Sequence, residues 1–203
     1  MKTDISQLKI YLLDWNQAMC RAWEQVFENN VNIVKDNFLY FMREHNDIDG
    51  IVSPANCFGI MDGGYDAAIT KFFGPTLMQK VQDKILNEYY GVQPIATCIS
   101  VAVDGFKTID GKQIFLLHTP VMTTPSKVYD PVLIFHAMRN TLMEALKLDL
   151  NAIVIPAWGG FCGDVPPDDI AHYMKTAYDQ IKNPNTSIDW SIMDETARKL
   201  NIW

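Results

Sequence analysis

Short apolar runs of strand length alternate along the whole chain with longer segments whose apolar residues recur every three or four positions. The runs at 10–13, 31–34, 50–53, 114–119 and 152–156, with the β-branched stretch PIATCISVAV, read as buried strands. Between them, Ala18, Ala22 and Val26 form one stripe, with Trp15, Met19, Trp23 and Phe27 beside it, and Asp14 is the expected cap. Leu77, Val81 and Ile85 make a second stripe, and Val132, Phe135, Met138, Leu142 and Leu146 a third, started by Pro131. Ile170, Met174, Ala177 and Ile181 make a fourth, with Asp168 or Asp169 as its expected cap. Asp104-Gly105 and Asp110-Gly111 read as turns. Strand and helix in alternation predict an α/β domain, with helices on both faces of a mostly parallel sheet.

The 203 residues suit one such domain with a modest extension, and 48% hydrophobic content fills a core without metal or disulfide support. The domain is expected over 1–182; residues 183–203 open with turn residues and then offer a short amphipathic helix packed outside it. Cys20, Cys57, Cys98 and Cys162 are scattered, without the spacing of a zinc site or a disulfide framework. No metal and no cofactor are expected. No run is long enough to span a bilayer, and MKTDISQLKI lacks the apolar stretch of a secretory signal, so a cytoplasmic protein is expected. A net charge of −7 argues against broad nucleic-acid binding. It does not oppose an anionic small ligand, which backbone N–H groups and helix N-termini can hold.

In sheets of this kind ligands bind at the carboxyl ends of strands. Two glycine-rich segments fall there: NCFGIMDGGYD after the strand at 50–53, and AWGGFCGD after the strand at 152–156. Glycine lets backbone approach a ligand closely, and the helix starting near Asp66 offers free N–H groups to a phosphate. Asn56 carries donor and acceptor groups suited to a sugar hydroxyl pair. A plain turn is the simpler explanation of a lone Gly-Gly pair, and a helix cap explains Asp66; the wider arrangement shifts the balance toward a ligand loop. No GxGxxG follows the first strand, which disfavours a dinucleotide-dependent oxidoreductase. The four cysteines lack the downstream Arg of a Cys-x5-Arg phosphatase and read as inert side chains, and His118 as a core or lining residue.

The stretch IVSPANCFGIMDGGYDAAI resembles the signature of the macrodomain family, closest in character to phage and bacterial macro-like proteins. Asn56 matches the second Asn of its turn, Gly63 and Gly64 the end of its glycine run, and Asp66 the acidic residue that follows. Ile33 to Phe38 occupies the place of the adenine-recognising Gly-Asp-Ile segment. HTPVMTTPSKVYDPVLIFHAM and PAWGGFCGDVPPDDIAHYMKTAY are similar to a later strand end and to the second phosphate loop, each with its helix. Ser53 stands in place of the first Asn, Asp62 interrupts the glycine run, Asn37 replaces the usual Asp beside Asp36, and Gly160-Phe161 replaces a Thr-Gly pair.

The resemblance implies a three-layer α/β/α sandwich with a mixed, mostly parallel sheet. It implies ADP-ribose across the strand ends, against Asp36, Asn37, Phe38, Ala55, Gly63, Gly64 and Tyr65 on one side. Trp158, Gly159, Gly160, Phe161, Cys162 and Gly163 are expected on the other, with Trp158 and Phe161 the favoured aromatic contacts. The implied partner is ADP-ribose or an ADP-ribosylated substrate. Hydrolytic members would assign Asn56 to the distal ribose and Asp66 to water or the developing positive charge, removing an ADP-ribose adduct or dephosphorylating ADP-ribose 1''-phosphate. Other members only bind, which makes a non-catalytic reader, a nucleotide sponge or a phage assembly-associated protein the alternative, in the host cytoplasm if phage-encoded.

Overall fold

The computed structural model describes residues 4–202. After a 3-10 turn, Ile5–Gln7, the elements are β1 (Lys9–Asp14), α1 (Gln17–Phe27), β2 (Asn32–Lys35), α2 (Phe38–Glu44), β3 (Gly50–Ser53), α3 (Gly64–Phe73) and α4 (Thr76–Tyr89). Then follow β4 (Ile99–Lys107), β5 (Gln113–His118), α5 (Val132–Lys147), β6 (Ala152–Ile155), α6 (Pro167–Lys182) and α7 (Trp190–Lys199). The strands form one sheet in the order β2-β1-β6-β3-β5-β4. All pairings are parallel except the β4–β5 hairpin.

Alternation along the strands divides the interior into two cores. Ile10, Leu12, Ile153 and Ile155 face α1, α5 and α6, while Tyr11, Leu13, Ala152 and Val154 face α2, α3 and α4. Helices therefore cover both faces of a mixed, mostly parallel sheet, the expected α/β/α sandwich. No helix among the described residues is long and apolar enough to cross a membrane.

Several local expectations are corrected. Asp14 ends β1 rather than capping α1; the cap is Asn16, whose Oδ1 accepts the Ala18 N–H at 2.9 Å. Asp168 and Asp169 lie in the first turn of α6, where their charges complement the helix dipole, and Pro167 opens the helix. Asp104-Gly105 is no turn. It lies inside β4, where the register against β5 shifts and Gly105 takes φ +75°. The turn of that hairpin is at Asp110-Gly111, with Gly111 at φ +82° and its N–H on Thr108 O. The periodicity did not announce α2. It is held by Asn37, whose side chain accepts the Tyr40 N–H. At the far end, Asp189 caps α7, and the α7 C-terminus docks on α6 through His172 Nε2 against Lys199 O at 2.9 Å.

Candidate functional site: a cavity at the strand ends

Because β1, β2 and β6 are parallel neighbours, the turns that follow them open on one edge of the sheet. There they enclose, with the start of α3, a cavity of about 540 Å³. Asp36, Asn37 and Phe38 come from the β2–α2 turn, and Gly64, Tyr65 and Ala68 from α3. Gly160, Phe161, Val165 and Ile170 come from the β6–α6 segment. Among the described residues, no Lys or Arg side chain lines this space. Another hollow, of about 450 Å³, lies between α6 and α7 and touches neither glycine loop.

Gly63 precedes α3 in extended conformation and makes no side-chain cap, so the first N–H groups of α3 are left to other acceptors. Gly64 adopts φ +55°, and a Cβ there would meet nothing within 4 Å. Both facts suit backbone exposed to a ligand. The second loop is shaped differently. Gly159 has φ +71°, and a Cβ on Gly163 would lie 2.6 Å from Gly159 Cα, so the loop folds back on itself with backbone against backbone. The Val165 N–H donates to Gly159 O, and the Val128 N–H to Gly163 O. Lys127, in the segment between β5 and α5, forms an exposed ion pair with Asp164 of the second loop at 2.8 Å. Phe161, 84% exposed, projects at the rim.

Some expected residues lie away from the cavity lining. Trp158 is fully buried, and its Nε1–H donates to Thr119 O at 2.9 Å; it is a core residue, unavailable for stacking. Asn56 is buried within its own loop. Its Nδ2 donates to Ile60 O at 2.9 Å, and its Oδ1 accepts the Phe58 N–H at 3.1 Å. The amide that sequence reasoning gave to a sugar therefore holds the 56–60 loop in shape. Ala55 is buried, Gly63 and Cys162 are exposed, and Gly159 and Gly163 support the second loop from behind; none of them lines the cavity.

Asp66 does not cap α3, and it is not part of the lining. It is buried, and one oxygen accepts the Ser53 hydroxyl at 2.5 Å. Burial pushes its carboxyl up to about 7, against the lowering effect of the Ser53 hydrogen bond. Ser53 thus occupies the expected first-Asn position by bonding the acidic residue of the motif. Next to it, the Tyr65 hydroxyl is buried without a hydrogen-bond partner. Burial, then the charges of Asp66 and Asp14, hold that phenol well above its ordinary range, so it remains a donor. His118 is enclosed, with Nδ1 2.7 Å from Gln93 Oε1, and burial drives its pKa down to about 3. It stays neutral. Burial likewise raises the Cys57 thiol, which donates to Met122 O. Among the described residues, no group of three or more His, Cys, Asp or Glu side chains is placed to hold a metal.

Sequence reasoning missed the β1–α1 turn. Leu13, Asp14, Trp15, Asn16 and Met19 all line the cavity. Assigning Asp14 to a cap and Trp15 to a helix stripe concealed them. The available signal was the strand end itself, the same signal that picked out the glycine loops.

A parallel-rich α/β sheet with glycine loops at one strand-end cavity defines a class of small-ligand-binding domains. The model of the Macro domain family matches residues 52–174, more than half of the chain, and the chain belongs to that family. Its fold is similar to that of the Oceanobacillus iheyensis macrodomain solved with ADP, at 19% identity over 78% of this chain and 85% of that one, with a TM-score of 0.58. A mutant of the same macrodomain with ADPR matches at 17% identity over 100% of this chain and 99% of that one, with a TM-score of 0.60. The macrodomain of Mycobacterium tuberculosis DarG matches at 16% identity over 68% of this chain and 85% of that one, with a TM-score of 0.56.

Proposed function

We propose that this protein binds ADP-ribose or a close derivative in the strand-end cavity. The observation that carries the reading is the convergence of Gly64, at the α3 N-terminus, and Gly160, in the second loop, on one space. Both offer backbone rather than side chains, which suits a diphosphate in a cavity without cations. Solved macrodomains with ADP or ADPR support the same ligand class.

Calorimetry tests this directly. ADP-ribose is expected to bind at least tenfold more tightly than AMP, because two phosphate-facing loops reward a diphosphate. Gly64→Val is expected to abolish binding. A β-branched residue is strained at φ +55°, and its side chain enters the space that a ligand would use. Equal affinity for AMP, or normal binding by the folded variant, overturns the assignment.

A second reading adds turnover of an ADP-ribose adduct or of ADP-ribose 1''-phosphate. The favouring observation is Asp66, a buried carboxyl held near neutrality one residue from the cavity wall. In this reading Asp66 assists water or the developing positive charge, and Asn56 acts by fixing its loop. Wild type and Asp66→Asn are assayed on ADP-ribosylated protein, ADP-ribosylated nucleic acid and ADP-ribose 1''-phosphate. The enzyme reading expects product from at least one substrate, and a fall of roughly 10²-fold in the variant with binding kept. Binding without product from any of the three leaves a non-catalytic reader or sponge.

A further inference from the structure

Among the described residues the sheet ends on β4, a strand of 9 residues that pairs on one side only, with β5. The hydrogen bonds of β5 fix which β4 groups face outward. The Phe115 N–H donates to Asp49 O and the Thr119 N–H to Ser53 O, so these residues point toward β3. Backbone groups alternate in direction along a strand, so Leu116 and His118 point the other way, at their register partners Val101 and Ile99. Ser100 and Ala102 therefore turn their N–H and C=O groups outward, away from the sheet.

An open edge of this kind is a template for a further strand. Here its carbonyls are already taken. Lys80 Nζ donates to Ala102 O at 3.1 Å, and Lys84 Nζ to Ser100 O at 3.1 Å. Spacing makes the match. Four residues of helix advance about 6 Å, and two residues of strand advance about 6.7 Å. An i,i+4 pair on α4 thus reaches an i,i+2 pair on β4, in reverse order because the helix runs antiparallel to the strand. Asp104 holds Lys80 at 2.6 Å and Glu88 holds Lys84 at 3.5 Å, which keeps both ammonium groups along the edge. Neither lysine lines the strand-end cavity. Past Ala102 the register shifts and Gly105 takes φ +75°, so the regular backbone open to pairing is confined to 99–103.

A second copy of this chain fits that stretch. Antiparallel pairing of β4 with β4 about Val101 sets Ser100 of each copy opposite Ala102 of the other. Both pairs then exchange N–H···O bonds in both directions, in a ladder symmetric about a twofold axis. The same pairing brings Lys80 of one copy against Lys84 of the other above the seam. Asp104 and Glu88 offset much of that like charge, so the occupied carbonyls are the larger obstacle.

We propose that the outer edge of β4 is a self-association surface held closed by Lys80 and Lys84, whose occupant, once those ammonium groups are removed, is β4 of a second copy. The lysines act by filling the acceptors that a ladder needs. An incoming backbone N–H must displace a charged donor, which a carbonyl holds more strongly than a neutral one. The inference is independent of what the cavity binds.

The test compares sedimentation velocity of the 203-residue chain and of its Lys80→Met/Lys84→Met variant over a concentration series. Met keeps an apolar stem and loses the charge and the donors. The double Met variant is expected to self-associate more tightly than wild type by about tenfold or more. Lys80→Arg/Lys84→Arg keeps charge and donors and is expected to behave as wild type. Hydrogen exchange locates the contact. In wild type the Ser100 and Ala102 N–H groups lack a ladder partner and should exchange fast. In the double Met variant they should slow by about tenfold or more as concentration rises. Adding Ala102→Pro removes one outward N–H at an edge position that tolerates proline, and is expected to reverse the association. Unchanged association in the double Met variant overturns the proposal. Association without slowed exchange at Ser100 and Ala102 also overturns it, because the contact then lies on another surface, such as the new methionines. So does association that persists with Ala102→Pro in a variant whose melting temperature shows it folded.

Discussion

Replacing Asp66 by Asn is expected to stabilise the protein at alkaline pH and to do little in acid. Burial raises the Asp66 carboxyl from 3.8 to about 7, against the Ser53 hydrogen bond. Between those values the folded chain holds a proton that the unfolded chain has released. Stability therefore falls as pH rises through that window and levels off above about 7. At about 1.4 kcal/mol for each tenfold change in proton affinity, ionising this carboxyl inside the fold costs about 4 kcal/mol more than in the unfolded chain. Against a usual net stability of about 5–15 kcal/mol, that is a large fraction. Asn fills the same volume, carries no charge, and keeps an oxygen for the Ser53 hydroxyl, so it avoids burying an ionised group.

Urea unfolding of wild type and Asp66→Asn at intervals from about pH 4 to about pH 8.5 measures the difference across that window. The gain should be near zero around pH 4, rise through the window, and reach a plateau of a few kcal/mol by about pH 8. His118 also makes stability depend on pH, because it ionises near 6.5 only in the unfolded chain, but that contribution is common to both proteins and drops out of the subtraction. A gain that does not depend on pH, or a loss at alkaline pH, refutes the reasoning, because either means that Asp66 is comfortably ionised in the folded state.

His118 is expected to stay neutral, so its ring resonances should not titrate between about pH 5 and 8; a midpoint near 6.5 contradicts the depression to about 3. That depression makes its contribution to stability fall as pH drops from about 6.5 toward 3, the opposite trend to Asp66. Gly163→Ala should displace the second loop, because its Cβ would meet Gly159 backbone at 2.6 Å; a loss of about 1–3 kcal/mol with weakened ADP-ribose binding is expected in calorimetry and unfolding. Trp158→Phe should lower stability by about 1–3 kcal/mol, through the unpaired Thr119 carbonyl and lost volume, and leave ligand affinity unchanged. Among the cysteines, brief thiol labelling should modify Cys162, which is exposed, and spare the buried Cys20 and Cys57.

The layers of this fold were legible because burial on both faces writes long apolar runs into β1, β3 and β6, and one-sided burial writes stripes into α1, α5 and α6. What escaped was set by single side-chain bonds. Asn37 makes a helix of a segment without a stripe, and Asn16 displaces Asp14 from the cap it was expected to fill. The glycine pair stood out because backbone approach requires glycine, and Gly64 does take a left-handed conformation. Whether Trp158 or Phe161 faces the cavity could not be read from spacing, since both flank the same glycines. The answer comes from an indole N–H that finds Thr119 O, on the chain segment after β5.

Acidic residues were the hardest to place for the same reason. Asp14 and Asp66 both read as helix caps, for which Asp is well suited. Three-dimensional pairing separates them. Ser53 ends β3 and reaches Asp66 across the start of α3, which draws that carboxyl into the interior. Asp14 ends β1, where the following N–H groups turn back on it and hold it at the cavity wall. One carboxylate is thus committed to the protein and the other is presented to the cavity, and only the strand order brings them near the same ligand space. A carboxylate at the cavity wall acts on what the cavity binds, whereas one buried beneath the wall acts on stability or on the chemistry. The two Asp→Asn variants therefore should not mimic each other: Asp14→Asn should change ADP-ribose affinity in calorimetry, with a smaller effect on the pH dependence of unfolding, because burial raises its carboxyl less than that of Asp66. Asp66→Asn should change that pH dependence more strongly and leave the affinity alone. Matching effects in both assays would mean that the two carboxyls form one coupled pair, and the division of labour argued from their hydrogen bonds would be wrong.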